Sequence, residues 1–195
     1  ECVLPLQALI SLLVLLLKPE GGERCIALMA MLYRFWMRSR RGLVGHWTEE
    51  AAGFWDDAVR GSAPLRAALV RAFMDESAQA HGIACASILH DLEKLYDLID
   101  ILRLSDGARL LNYPPIALSL GLQCHLGVRL LSAGDCVGRG VLPDTGLLAG
   151  CGQAGDFARA ALYWVLHEAH LRFPTVSLRE YVDDLHQRAE GLQGT

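Results

Sequence analysis

The sequence predicts an α+β fold, and three observations carry that prediction. The 195 residues are 52% hydrophobic and 21% charged, a composition that folds around a core rather than staying disordered. Helix-like and strand-like stretches alternate with no internal repeat and no series of βαβ units, which favours antiparallel sheet packed on helices. Turn-forming residues at Pro19-Glu20-Gly21-Gly22, Ala133-Gly134-Asp135 and Asp183-Asp184 separate apolar runs, as hairpins require.

The elements follow in order. The run from Ala8 to Leu17 has no basic region before it and no small-residue cleavage site after it. It therefore does not read as a signal peptide, and it is too short to span a membrane. It reads as a buried helix end entering a strand, Leu12 to Leu17, which turns back into a second strand, Arg24 to Leu28. Met29 to Arg41 is predicted helical and stopped by Gly42, with Leu32, Phe35 and Trp36 inward. Trp47 to Arg60 is amphipathic, with Phe54 and Trp55 buried. Pro64 to Gln79 forms a longer helix whose apolar face is Leu65, Leu69, Ala72 and Phe73. Ile83 to Leu89, bounded by Gly82, reads as a buried strand, with His90 structural and Asp91 at the strand exit.

Beyond it, Tyr96 to Leu104 turns helical until Asp106-Gly107 breaks it, and another helix starts at Ala108 to Leu111. Tyr113-Pro114-Pro115 is a further break before a helix from Ile116 to Gln123. Val128 to Leu131 and Cys136 to Val141 are paired strands. Gly146, Gly150 and Gly152 would let backbone approach a ligand without obstruction from a Cβ. Phe157 to Leu171 is a helix ended by Pro174, and Val176 to Val182 is a strand leading into the acidic turn and a returning strand.

Net charge is −4 and the isoelectric point is near 6.0, which argues against a surface that is basic throughout. Locally, Arg34, Arg38, Arg40 and Arg41 interleave with Tyr33, Phe35 and Trp36. Two readings stay open: a contact for single-stranded nucleic acid, or an amphipathic helix with its arginines in water. The cysteines at 2, 25, 85, 124, 136 and 151 form no Cys-x-x-Cys pair, and no nearby histidine completes a zinc spacing. That usage places the chain in a reduced compartment, cytoplasm or nucleus, and not among secreted proteins.

Tyr181-Val182-Asp183-Asp184-Leu185 is the most informative stretch. Acidic pairs are common at turns because Asp caps local backbone, yet two like charges at a hairpin tip repel. A divalent metal removes that objection, and two-metal chemistry needs carboxylates from separate segments converging on rigid elements. Asp91 is the second such segment, within Asp91-Leu92-Glu93-Lys94-Leu95-Tyr96-Asp97.

With these segments in view the chain resembles the reverse transcriptase domain of non-LTR retroelements and group II introns. Lys94-Leu95-Tyr96-Asp97-Leu98-Ile99 looks like that family's Lys-Ala-Phe-Asp-Ser-Ile, and Tyr181-Val182-Asp183-Asp184 matches its catalytic hairpin. Gly146-Leu147-Leu148-Ala149-Gly150-Cys151-Gly152 looks like a weakened Gly-Leu-Pro-Gln-Gly-Ser-Pro. The stretch from Lys18-Pro19-Glu20-Gly21-Gly22-Glu23-Arg24 to Leu28, followed by Leu32-Tyr33-Arg34-Phe35-Trp36, resembles the fingers pattern Lys-Pro-Gly-Gly-x-Arg-Pro-Ile and Leu-Tyr-Arg-Leu-Trp. The chain departs from the family at Cys25, Leu148, Ala149 and Gly152, where the family has proline, proline, glutamine and proline.

The resemblance implies fingers over residues 1–80 and a palm over 81–195, with an antiparallel palm sheet packed on helices. It also implies that the chain, which begins with Glu1, is a piece of a larger polyprotein lacking the thumb. The implied activity is RNA-directed DNA synthesis. Asp91, Asp183 and Asp184 would bind Mg²⁺, or Mn²⁺ in its place. Lys18 and Arg24 would neutralise the triphosphate, Tyr96 would exclude a 2′-hydroxyl, and Gly150 and Cys151 would line the template–nucleotide pocket. Read without the family, Lys18 and Arg24 are solvated hairpin cations and Tyr96 is a core tyrosine. The implied partners are an RNA template, a DNA primer and deoxynucleoside triphosphates, with no membrane. The missing glutamine keeps a second reading open, a decayed retroelement copy or an RNA-binding domain without polymerase activity.

Overall fold

The computed structural model describes residues 3–17, 19 and 21–191, the Arg24 side chain excepted. In chain order the first elements are β1 (Ser11–Leu17), β2 (Glu23–Met29), α1 (Met31–Ala51), α2 (Pro64–Ala80), β3 (Cys85–Asp91), α3 (Leu95–Leu98) and α4 (Ile101–Leu110). They are followed by α5 (Pro115–His125), β4 (Arg129–Ala133), β5 (Cys136–Val137), α6 (Ala154–Arg172), β6 (Val176–Tyr181) and β7 (Asp184–Glu190). The fold is α+β, as the sequence predicts. Its contacts divide it into two interleaved units, Glu1–Trp47 with Lys94–Ala161, and Thr48–Glu93 with Leu162–Thr195.

In the first unit β1 and β2 form the expected antiparallel hairpin, in register from Ser11↔Met29 to Leu17↔Glu23. Gly21 and Gly22 turn it with φ of +94° and +87°, values open to glycine at no steric cost. β4 pairs parallel to β1 and antiparallel to β5, giving the sheet order β2-β1-β4-β5. The core gathers Ala27 and Met29 of β2, Tyr33 of α1, Cys124 of α5, Leu148, Cys151 and Ala154.

Two sequence expectations are corrected in this unit. α1 does not stop at Gly42 but continues through Gly45 to Ala51. Val44 and Trp47 are buried beyond the glycines, and Trp47 Nε1 donates to the Leu111 carbonyl at 2.8 Å. Burying such side chains is worth about 1.5–3 kcal/mol each, which outweighs the ~1 kcal/mol penalty of a helical glycine. The inward side of α1 is accordingly Tyr33, Val44 and Trp47, while Leu32 and Phe35 are exposed. α4 likewise runs through Asp106-Gly107 without a break, with Leu104, Gly107 and Ala108 buried along it. It starts on the Asp100 carboxylate, which accepts from the Leu102 and Arg103 amides, and the left-handed Asn112 (φ +56°) follows its end.

The second unit is built on a wholly antiparallel sheet, β3-β7-β6. One face carries Val176 and Leu178 of β6 and Leu185 of β7, packed with Leu162, Tyr163, Leu166 and Ala169 of α6 and with Trp55. The backbone of residues 55–57 pairs along β6, where Glu180 N–H donates to Trp55 and Asp57 N–H donates to Glu180. The other face is polar. Arg188 is buried there, bonded to Asp75 at 2.8 Å, to Glu190 and to the Met74 carbonyl. Its guanidinium holds the Asp75 carboxyl below the ordinary carboxylate range.

That polar face explains two further corrections. α2 meets β3 and β7 through Asp75, bonded to Ser87 and Arg188, and buries Ala67 and Ala78, so Leu65, Leu69 and Phe73 are exposed rather than inward. β3 is not a buried strand: it lies at the sheet edge and all seven of its residues are exposed. Of the pair Phe54 and Trp55, only Trp55 is buried, and helix does not extend to Arg60 because α1 ends at Ala51. No helix among the described residues is long and apolar enough to cross a membrane.

Candidate functional site

The acidic hairpin lies in the second unit, and its geometry differs by one residue from the sequence expectation. β6 ends at Tyr181, β7 begins at Asp184, and the pair Tyr181↔Asp184 closes the hairpin. The turn residues are therefore Val182 and Asp183, not Asp183 and Asp184. Val182 takes φ +61°, while Asp183 is not in the positive region, the pattern of a type II′ turn. A β-branched residue there is strained, because its Cβ crowds the following carbonyl.

Asp91 sits directly across from Asp184, as Cα partners at the end of the β3·β7 ladder. The neighbouring Leu92 N–H donates to the Asp183 carbonyl at 3.0 Å. That bond makes 92/183 the hydrogen-bonded position, so 91/184 is the narrow position with Cα atoms about 4.5 Å apart. Asp91, Asp184 and Tyr181 thus form one row across three strands, side chains on the same face. Asp183 occupies the adjoining turn. All three carboxylate residues are exposed, and among the described residues none has an ion-pair partner.

Like charges directly opposed on a sheet destabilise it, so this row is an unneutralised anionic edge. No group of three or more His, Cys, Asp or Glu among the described residues is arranged to enclose a metal ion. The donors are hard oxygens nonetheless. Mg²⁺ keeps several waters and takes one or two carboxylates plus substrate phosphates rather than a protein cage. A paired, exposed carboxylate edge fits that habit.

The substrate-binding candidates fall in the first unit. Lys18 lies outside the described residues, as does the side chain of Arg24, whose backbone pairs with Leu16 in the hairpin. Tyr96 and the glycine block are joined directly. Leu147 N–H donates to the Tyr96 carbonyl at 2.6 Å, and Gly146 N–H to the Ile99 carbonyl at 2.9 Å. Gly146 has φ +82°, and a Cβ there would meet the Asp97 carbonyl oxygen at 2.7 Å, so only glycine fits. Ala149 accepts from the Ala27 amide of β2 at 3.1 Å, and Gly150 follows with φ +97°. Strand β2, Tyr96 and the glycine block therefore meet in one hydrogen-bonded assembly.

Cys151 is placed differently from a pocket-lining side chain. It is buried, its sulfur lies 3.6 Å from the Tyr33 hydroxyl and 3.7 Å from Met37 Sδ, and burial pushes its thiol pKa up. Any contact from this position is made by backbone. Tyr96 is half-buried against the same core.

Four participants had no sequence signal. Gln153, buried, accepts from the Tyr33 hydroxyl at 2.8 Å and donates to the Tyr113 hydroxyl at 3.0 Å. His125 Nδ1 accepts from the Leu148 amide at 2.8 Å. Arg129 donates to the carbonyls of Gly146 at 2.8 Å and His125 at 3.1 Å. Arg188 carries the polar layer described above. Each is isolated in sequence, and only the tertiary contact gives it meaning.

No family model matches the chain, and no curated protein matches it. Its structure is similar to solved telomerase structures, three of which follow. Telomerase from Candida tropicalis bound to a TWJ fragment of telomeric RNA aligns with TM-score 0.68 at 14% identity, over 96% of this chain and 37% of that one. Apo telomerase from Candida tropicalis, truncated from the C-terminal domain, gives 0.60 at 16% identity over 97% and 45%. Telomerase from Candida albicans with the same kind of RNA fragment gives 0.61 at 12% over 92% and 38%. The chain spans less than half of each of these proteins. At such identities the likeness is one of fold: the chain shares the fold of the aligned part of these telomerases.

Proposed function

We propose that this chain is an RNA-directed DNA polymerase domain of the non-LTR retroelement or group II intron kind, performing template-directed nucleotidyl transfer. One observation carries the reading: Asp91 and Asp184 face each other across β3 and β7, with Asp183 in the adjoining turn and no ion-pair partner for any of the three among the described residues. The telomerase-like fold supports it. Asp91, Asp183 and Asp184 would hold Mg²⁺, which supplies charge neutralisation for the attacking hydroxyl and the leaving pyrophosphate. The protein's own share is positioning. The β3·β7 ladder fixes Asp91 against Asp184, and the type II′ turn presents Asp183. On this reading residues 81–195 take the palm role and residues 1–80 the fingers role.

Lys18 and Arg24 neutralise triphosphate charge, with the guanidinium giving fork geometry and the ammonium a point charge. Tyr96 excludes a 2′-hydroxyl, and the backbone at Gly150 and Cys151 approaches the nucleotide. RNA template, DNA primer and deoxynucleoside triphosphates are the partners.

The test is primer extension on an RNA template with the full-length protein, wild type and Asp183→Ala. The variant is expected to keep the wild-type melting temperature within a few degrees and to lose incorporation to background. Equal extension by both would sink the mechanism. A second reading, an RNA-binding domain without polymerase activity, is favoured by Ala149, whose methyl group stands where the family carries an amide. It predicts RNA retention with no metal-dependent incorporation.

A further inference from the structure

The loop that joins Tyr96 to β2 rests on an imidazole that plays no part in the proposed chemistry. His125 is the last residue of α5 and is fully buried. Its Nδ1 accepts the Leu148 amide proton at 2.8 Å, so the proton of the neutral ring is on Nε2. Nε2 has no hydrogen-bond partner. The ring instead packs at 62° on Phe157, with centroids 5.4 Å apart. A buried donor without a partner is costly, and a leucine would fill this apolar niche without that cost. The retained feature is therefore the Nδ1 lone pair.

The lone pair is aimed at a buried amide inside this loop. Within residues 146–149, Gly146 N–H goes to Ile99, Leu147 N–H to Tyr96, and the Ala149 carbonyl takes Ala27 N–H. The Gly146 carbonyl takes Arg129. Leu148 N–H is buried between these anchors and goes to His125. Burial, with a smaller contribution from the Arg129 charge, pushes the imidazole down to about 3, so the lone pair stays free for this bond throughout the physiological range.

We infer that His125 is a positioning residue: through Nδ1 it holds Leu148, and with it the Tyr96–Gly150 assembly, in the form that receives the incoming nucleotide. This inference rests on the polymerase reading of the preceding section, and it adds a determinant of nucleotide affinity that neither the motifs nor the fold likeness assigns. His125 does not touch substrate. Its loss raises KM for the deoxynucleotide rather than lowering kcat.

Two amide variants test it, because Asn places an acceptor near the Nδ1 position and Gln places it near Nε2. Steady-state incorporation by the full-length protein, on an RNA template with a DNA primer, is measured for wild type, His125→Asn and His125→Gln. The expected result is near-wild-type KM for His125→Asn, and KM about tenfold higher for His125→Gln with kcat little changed, the equivalent of one hydrogen bond. Equal KM in the two variants overturns the inference while leaving the polymerase reading intact. No incorporation by wild type overturns the polymerase reading and this inference with it. Should His125→Gln unfold, Leu148 amide exchange carries the test: protection kept in His125→Asn supports the role, and protection lost there overturns it.

Discussion

At the scale of single residues, Val182 and His125 show how a side chain is fixed by its neighbours rather than by its own preference. Val182 holds φ +61° in the turn that presents Asp183. A left-handed β-branched residue costs about 1–2 kcal/mol, and glycine gives back about 0.5–1 kcal/mol of chain entropy. Val182→Gly is therefore expected to stabilise the chain by roughly 0.5–1 kcal/mol in urea unfolding. His125 makes a pH prediction. Its folded pKa, about 3, lies below the ordinary 6.5, so between those values the unfolded chain binds a proton that the folded chain does not. Stability then falls as pH drops from 6.5 towards 3, with a limiting slope of about 1.4 kcal/mol per pH unit. Urea midpoints between pH 7 and pH 4 should show that loss, and His125→Asn should flatten it.

At the scale of elements, the sequence was legible wherever turn chemistry or an uninterrupted apolar run acted locally. The β1–β2 hairpin, α2, α5 and the β4–β5 turn stand where their residues put them, and the β6–β7 hairpin does so but for one residue at its turn. Boundaries failed where packing overrode propensity, as at Gly42 in α1 and Gly107 in α4, and faces failed where a helix met a polar surface, as in α2. The candidate site divides the same way. Asp183-Asp184 was readable as a motif, but the one-residue shift of its turn and the pairing of Asp91 with Asp184 depend on strand register, which the motif does not specify. α1 keeps both of its readings compatible. Tyr33 is in the core, while Arg34, Arg38 and Arg41, at i, i+4 and i+7, share an exposed side, and no acidic residue lies between Glu23 and Glu49. Replacing these three arginines by alanine should weaken single-stranded RNA binding. The slope of log K against log salt should become shallower by about 2, since each phosphate contact contributes about 0.7. Fluorescence anisotropy across a salt series measures it, and an unchanged slope would leave the arginines as solvated charges.

At the scale of the whole molecule, the chain buries a core in each unit but leaves Leu65, Leu69 and Phe73 of α2 exposed, at 69%, 60% and 71%. Residues four apart make one stripe on a helix, and an apolar stripe of that kind promotes association. Leu69→Glu with Phe73→Glu is expected to lower the aggregated fraction in light scattering, with no fall in melting temperature because neither side chain contributes to the core. A fall of several degrees would show the stripe to be packed.

The sequence by itself determined the α+β class, most of the elements, and the two acidic segments whose order resembles a reverse transcriptase. Those features come from periodicity, turn residues and short motifs, all of which act over a few neighbouring positions. The tertiary structure decided which carboxylates face each other, which side of each helix is inward, and that His125, Arg129 and Gln153 hold the glycine block and its surroundings. These depend on strand register and on hydrogen bonds between residues far apart in the chain, such as Tyr33 with Gln153 and His125 with Leu148. No local pattern encodes such pairs. They are selected by the requirement that a buried polar group find its partner, and that requirement is met only once the chain has folded.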